Sequence, residues 1–349
     1  MNWMLYGANG YTGELVAREA VRRGLRPTLA GRSESRIHAL GAELGLDCRV
    51  FALDDEATVR ANLAGHRLVL HCAGPFSETS RPMLSACLAN HVHYLDITGE
   101  IQVFEHVHGQ AEAARRADVA LVPGVGFDVV PSDCLAASLV EALPAATRLQ
   151  LAFEAGGGPS PGTAKTSLEG IGMGGRVRRD GRMVSVPLAW KSRTIPFAHG
   201  KRTAVTIPWG DVFTAFVSTG VPDIEVYMAV PPATAARMRR LRWLRPLLAT
   251  KPVQSFLKNR IGSRVSGPSD DTRSGTRSEL WGEASSADGR SVSATMTTPN
   301  GYDLTVSAAL GIVAHLLDND VEGGFYTPSL LMGSGYAASL PGVEFRLNP

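Results

Sequence analysis

The chain has 349 residues, 44% hydrophobic and 19% charged, with a net charge of +2. That length allows two domains, since single cores stop growing at roughly 250 residues, and the composition excludes a disordered or fibrous chain. So small a net charge gives no global field for nucleic acid, and no leader or apolar run near the ~20 residues of a membrane span is seen, so the expected location is cytoplasmic with no nucleic-acid or membrane partner.

From the first residue to about 126, short apolar runs alternate with amphipathic ones: "WMLY", "ELVAREAVRRG", "PTLAG", "SRIHALGAELG", "CRVFAL", "EATVRANLAG", "RLVLHCAG", "RPMLSACLANH", "HYLDIT", "VFEHVHGQAEAARRA", "VALVPG". Strands alternating with helix-length segments predict right-handed βαβ units and a doubly wound parallel sheet of about six strands, the Rossmann type of α/β domain. Beyond Gly126 come "TRLQLAFEA", "RMVSVPLAW", "AVTIPW", "VFTAFVST" and "IEVYMAV", all strand-like, with Asp-Gly turns in "RRDGRM" and "SADGRS". They predict antiparallel hairpins and a second α+β domain on a mixed or antiparallel sheet. Residues 266–278, "SGPSDDTRSGTRS", read as a mobile polar loop, and "YDLTVSAALGIVAHLLDN" as a helix. The expected division is 1–127 for the nucleotide domain, 128–302 for a substrate and dimerisation domain, and 303–349 for a helical segment packing back on the first. Cys48, Cys72, Cys87 and Cys134 lack C-x-x-C spacing and read as reduced structural residues.

Gly7, Gly10 and Gly13 form G-x-x-G-x-x-G between the first strand and the first helix. In that context the first glycine permits the turn, the second admits a pyrophosphate to the backbone, and the third lets the helix pack on the sheet. The helix dipole and free N–H groups then favour the diphosphate. Where an NAD-binding form carries an acidic residue, this chain has Arg32 and Ser33, with Arg36 a turn later. A guanidinium and a hydroxyl there suit a 2′-phosphate, so the cofactor expected is NADP(H). Strand four ends in Ala73, Gly74, Pro75 and Phe76, and strand five brings Asp96, Thr98 and Glu100 to the same carboxyl edge, beside the expected nicotinamide.

Together "GANGYTGELV", "LAGRS", "CAGPF", "HVHYLDITGE", "VPGVGFDVVPSD", "GGGPSPGTAKTS" and "GGFYTPSLLMG" resemble the saccharopine-dehydrogenase-like oxidoreductases, including the trans-acting enoyl reductases. The resemblance runs nearly end to end in motif order. It implies an NADP-binding Rossmann domain, a substrate domain, final helices that return to the first domain, and a homodimer through the second domain's sheet. It places Gly7, Gly10, Tyr11, Thr12 and Gly13 on the phosphates, Arg32 and Ser33 on the 2′-phosphate, and Gly74, Pro75 and Phe76 beside the nicotinamide; Asn9, Arg36, Ala73 and Thr98, from their positions in the sequence, complete the expected cofactor-binding set.

For the proton that accompanies hydride transfer, the Tyr-x-x-x-Lys pair of short-chain dehydrogenases is excluded, because none of the seven Tyr has Lys at that spacing. The candidates are Asp128, at the junction of the domains where a cleft is expected, and Thr163 with Lys165 in "PGTAKTS". Asp128 could equally cap the helix that follows it, and Lys165 could be a solvated cation. The same run is not a Walker A loop, since two residues separate Gly162 from Lys165. His91 with His93 and His106 with His108 are spaced as H-x-H but straddle a boundary or diverge on a helix, so no metal is expected. Nine basic residues and no acidic one lie between Arg237 and Arg264; such a stretch suits a solvated helix pair, or an anionic membrane surface or acidic carrier protein.

The expected function is hydride transfer from NADPH to an unsaturated acyl-type substrate, small or carrier-bound. Two alternatives stay open: imine reduction of an amino-acid-derived substrate, its carboxylates paired by Arg176, Arg178 and Arg179, and a non-catalytic NADP(H)-sensing module.

Overall fold

The computed structural model describes residues 2–160, 162–164, 174–242, 250, 253 and 267–348. They fall into two compact units, Met1–Asp128 with Thr305–Pro328, and Val129–Leu304 with Ser329–Pro349.

The first unit alternates β1 (Trp3–Tyr6), α1 (Tyr11–Arg22), β2 (Thr28–Gly31), α2 (Glu34–Leu44), β3 (Cys48–Val50), α3 (Glu56–Leu63), β4 (Leu68–His71), α4 (Phe76–Asn90), β5 (His93–Asp96), α5 (Ile101–His108), α6 (Ala111–Ala117) and β6 (Ala120–Val122). β1, β4, β5 and β6 are buried at every position, as strands covered on both faces must be. α1 turns Gly13, Val16, Ala17 and Ala20 inward. Asp55 caps α3 by accepting the Thr58 N–H, and α2 ends at Gly45 in the left-handed region.

A seventh strand, β15 (Gly324–Phe325), joins the sheet in the order β15-β6-β5-β4-β1-β2-β3. Every pairing is parallel. The order reverses between β1 and β4, the switch point at which open α/β sheets bind ligands. The first core gathers Met4, Tyr6, Val69, Phe76, Met83 and Tyr94 around that point.

The second unit holds α7 (Val130–Ala142), β7 (Ala146–Glu154), β8 (Gly175–Arg179), β9 (Arg182–Val186), β10 (Ser192–Phe197), β11 (Gly200–Thr206), α8 (Asp211–Thr219), β12 (Asp223–Ala229), α9 (Pro232–Leu241), β13 (Arg277–Ser286), β14 (Ser291–Pro299) and β16 (Glu344–Asn348). These strands form one nine-stranded mixed sheet, ordered β10-β11-β12-β7-β13-β14-β16, with β8 and β9 off its path. Among the described residues only the β12–β7 pairing is parallel. The Asp180-Gly181 turn has both φ values positive, 47° and 73°, which matches the right-handed twist of the hairpin it closes. Helix α10 (Gly301–Asp318) begins in this unit and ends in the first.

Two local readings are corrected. "VFTAFVST" lies in helix α8, not a strand; its β-branched and aromatic residues are strand-like, but Val212, Thr214 and Ala215 bury one helical face and Gly220 stops the helix at φ 72°. In 267–278 a short helix, Asp270–Ser274, is capped by Ser269 and runs into β13 instead of forming an open loop.

Gly323 precedes β15 where a Cβ would lie 2.5 Å from the Ala114 carbonyl oxygen and 2.8 Å from Val119 N. Because both neighbours are backbone, Gly323→Ala is expected to loosen the seventh strand and to lower stability by about 1–3 kcal/mol, measured by urea unfolding.

Candidate functional site: the carboxyl edge of the parallel sheet

Gly7 turns the chain out of β1 at φ +81°, with its N–H bonded to Ala30 O at 2.8 Å. Space there is minimal. A Cβ on Gly7 would meet Ala73 N at 2.7 Å, and one on Gly13 would meet Gly7 O at 2.2 Å. Gly10 N bonds Gly7 O at 3.0 Å and Glu14 N bonds Gly10 O at 2.9 Å, which starts α1 directly at Tyr11 and Thr12. The first-turn N–H groups of such a helix have no carbonyl a turn earlier to bond, and together with the dipole they form an anion cradle. The bare backbone cradle fits a pyrophosphate.

Asn9, Arg32, Ser33 and Arg36 lie together beside this turn. A Cβ on Gly31 would come within 2.7 Å of Asn9 Oδ1, so Asn9 rests against the end of β2. Arg36 Nη2 donates to Asn9 O at 2.6 Å, which commits Arg36 to holding the loop. Arg32 is exposed and makes no hydrogen bond or ion pair among the described residues. Ser33 is the N-cap residue of α2, yet its hydroxyl makes no capping bond. A free guanidinium and a free hydroxyl at the end of β2 fit a 2′-phosphate. Arg32 also lowers the Tyr6 phenol somewhat, against the larger effect of burial, which pushes it up to about 12.

The other half of the edge is held by buried carboxylates. Glu100 accepts the Phe76 N–H at 3.0 Å and the Ser77 N–H at 2.8 Å, so its side chain closes the N-terminus of α4. The Gly74–Pro75 peptide is cis, and Ala73 O accepts the Thr79 hydroxyl at 2.7 Å. The Phe76 ring packs edge-on against His71, 5.3 Å between centroids. Thr98 is fully buried; its N–H donates to Asp96 Oδ1 and its hydroxyl accepts the Glu100 N–H. Asp96 also takes Gly124 N–H at 2.9 Å and the Tyr94 hydroxyl at 2.6 Å, and burial raises its carboxyl to about 6 despite these bonds. The His71 ring is held neutral by burial, down to about 3.

Asp128 belongs to this edge. A Cβ on Gly99 would lie 2.7 Å from Asp128 Oδ2, so the carboxyl rests on the loop that follows β5. Burial pushes it up to about 7, although part of the residue still meets solvent. The cap position of α7 is occupied by Val129. With burial moving its pKa to about 7, the carboxyl can carry a proton near neutral pH.

In the second unit Thr163 joins a hydroxyl cluster: its Oγ1 lies 3.1 Å from Ser160 Oγ and 3.2 Å from Tyr302 Oη, and Ser160 N donates to Tyr302 Oη at 2.5 Å. Lys165 lies outside the described residues. Tyr302 and Glu100 carried no local sequence signal for these roles, because their partners are 139 to 142 and 23 to 24 residues away. The Arg176, Arg178 and Arg179 side chains are engaged separately. Arg176 bonds Ser185 Oγ at 2.7 Å, Arg178 bonds Val212 O and Gly181 O, and Arg179 pairs with buried Glu225, which also takes Lys191 at 2.5 Å. They do not converge on one carboxylate site.

The H-x-H pairs split apart: His93 accepts the Ala120 N–H at 3.0 Å, and His108 packs on Phe325 at 4.9 Å. Among the described residues no three His, Cys, Asp or Glu side chains form a metal set, the four cysteines are free thiols, and no helix is long and apolar enough to cross a membrane. Of the basic stretch, Arg237, Arg239 and Arg240 are exposed on α9 and Arg242 bonds Ala189 O at 3.0 Å; 243–249, 251–252 and 254–264 lie outside the described residues.

A seven-stranded parallel sheet in Rossmann order, with a glycine cradle at its switch point, defines a dinucleotide-binding domain. Residues 3–122 match the model of the saccharopine dehydrogenase NADP binding domain. A trans-acting enoyl reductase of Mycobacterium tuberculosis is 30% identical over 138 residues, 37% of this chain and 33% of that protein. A mouse saccharopine dehydrogenase-like oxidoreductase is 27% identical over 152 residues, 37% and 35% of the two chains. The aligned part is thus about a third of the length of these curated relatives. Saccharopine dehydrogenase (L-Glu forming) from Saccharomyces cerevisiae superposes over 100% of both chains with a TM-score of 0.68 at 12% identity, a likeness of fold.

Two outcomes are expected. Glu100→Gln, which replaces a charged acceptor of two N–H groups, should lower stability by about 2 kcal/mol in urea unfolding. Asp128 has a folded pKa near 7, above its unfolded value near 3.8; the folded form therefore binds the proton more tightly, and its contribution to stability is lost as pH rises from about 4 to 7. Asp128→Asn should flatten stability over that window in pH-dependent thermal unfolding.

Proposed function

We propose that the chain is an NADPH-dependent oxidoreductase that reduces an unsaturated acyl-type substrate, free or delivered on a carrier. The observation that supports it most is the pairing, on one sheet edge, of the Gly7, Gly10 and Gly13 cradle with an uncommitted Arg32 and Ser33. Gly7, Asn9, Gly10, Tyr11, Thr12 and Gly13 hold the diphosphate, Arg32 and Ser33 the 2′-phosphate, and Arg36 acts by fixing Asn9. Bound NADPH supplies a hydride. Asp128, protonated near neutral pH, holds the proton that a carbon needs once hydride has been added at the neighbouring carbon. Ala73, Gly74 and Pro75 shape the nicotinamide side, while Phe76 and Thr98 support it from beneath.

The acyl preference draws on the names of the mycobacterial relatives. Imine reduction of an amino-acid-derived substrate draws less support, since Arg176, Arg178 and Arg179 are each engaged elsewhere. A cofactor sensor would have no use for a carboxyl raised to about 7 on the nucleotide edge. A homodimer in the cytoplasm is part of the same proposal.

The test is a fluorescence titration with NADPH and NADH, followed by turnover on a panel of enoyl thioesters and imino acids. Arg32→Asp is expected to abolish the preference for NADPH; an unchanged preference overturns the 2′-phosphate assignment. Asp128→Asn is expected to lower turnover by about 10²-fold or more with NADPH affinity intact; turnover unchanged removes Asp128 as the proton source.

A further inference from the structure

Helices α4, α5 and α6 leave a groove of about 680 Å³ on the outer face of the first unit's helical layer, a volume within the range of small-molecule sites. It starts at Arg81, more than a turn into α4, and runs to His91 at that helix's C-cap, away from the carboxyl edge where α4 begins. Leu84, Leu88 and Ala113 give it an apolar floor. His91 and His106, one member of each H-x-H pair, meet here.

No carboxylate lines the groove. Arg81, His106 and Gln110 place side chains on it that make no hydrogen bond or ion pair with any described residue. Arg116, at the rim, is shared with Glu112 at 3.4 Å, and His91 is turned to Ala117 O at 2.8 Å. Burial, and then Arg81, keep the His106 imidazole below its usual value. Arg116 shares Glu112 with Arg115, whereas Arg81 is a guanidinium on the groove with no acidic partner among the described residues, and its one fork matches one carboxylate. A planar guanidinium without an acidic partner accepts a carboxylate through two parallel bonds.

We propose that this groove is a second ligand site, separate from the nucleotide edge, that binds an amphipathic monocarboxylate with its head on Arg81, His106 and Gln110 and its alkyl chain along Leu84, Leu88 and Ala113. It does not depend on the reaction proposed above. A ligand held here would pack against α4, whose opposite end forms the Ala73–Phe76 turn.

The experiment is isothermal titration of the full chain with decanoate below its micellar concentration, with decanol and inorganic phosphate in parallel. Decanoate is expected to bind at this groove and to outcompete both controls. Arg81→Ala should weaken it about tenfold, the scale of a lost charged hydrogen-bonded contact, and Arg81→Glu should abolish it. Ala113→Trp, which fills the floor without touching the charge, should also weaken it. Thermal unfolding and NADPH titration of each variant check that the fold and the nucleotide site are intact. Absence of heat with decanoate overturns the proposal, as does binding that is unchanged in both Arg81→Glu and Ala113→Trp, or decanol binding as tightly as decanoate.

Discussion

The first unit depends on one close approach. Helix α1 comes so near the end of β1 that Gly13 and the Gly7 carbonyl leave no room for a methyl group between them. That contact fixes where α1 starts, and with it the direction of its unpaired N–H groups. It also sets the height of the turn against Ala73, so the loops after β1 and β4 are registered to each other by backbone contact. Side chains could not hold two loops so close without the adjustments that overpacked sites require.

Across the switch point the method is different. There the loops after β4 and β5 are held by carboxylates that have been taken out of water. Glu100 is satisfied by two N–H groups at a helix N-terminus, where its charge opposes the positive end of the dipole. Asp96 is satisfied by two N–H groups and a phenol, yet is still raised to about 6. Asp128 is raised further, to about 7, with burial as the cause. Asp96 and Asp128 thus differ on one edge by what surrounds each: Asp96 is held lower by two N–H groups and a phenol, while Asp128 is raised by burial.

Much of the first unit was legible because parallel strands buried on both faces read as short unbroken apolar runs, and because Gly7, Gly10 and Gly13 act within seven residues of one another. Arg32 and Ser33 were legible for the same local reason. The second unit was less so. The mixed sheet followed from its Asp-Gly turns and strand-like runs, but α8 was hidden among them, since Val212, Phe213 and Phe216 favour strands until tertiary packing gives them a helical face. Glu100, Asp96 and Tyr302 act through partners that are distant in sequence or through burial, and neither is visible in a local pattern. Asp128 could be picked out by its position, whereas its protonation could not, because desolvation is a property of the folded surroundings.

The seventh strand ties completion of the parallel sheet to residues near the other end of the chain. β6 pairs with Gly324–Phe325, just over two hundred residues further along the chain. During synthesis, therefore, the six earlier strands emerge with an exposed edge while the whole of β7 to β14 is still being added. The second unit's β7, β12, β13 and β14 are available to pair before that edge can be covered. On a ribosome both sheets therefore stay incomplete until the last stretch of chain emerges, the parallel one waiting for β15 and the mixed one, in turn, for β16 (Glu344–Asn348).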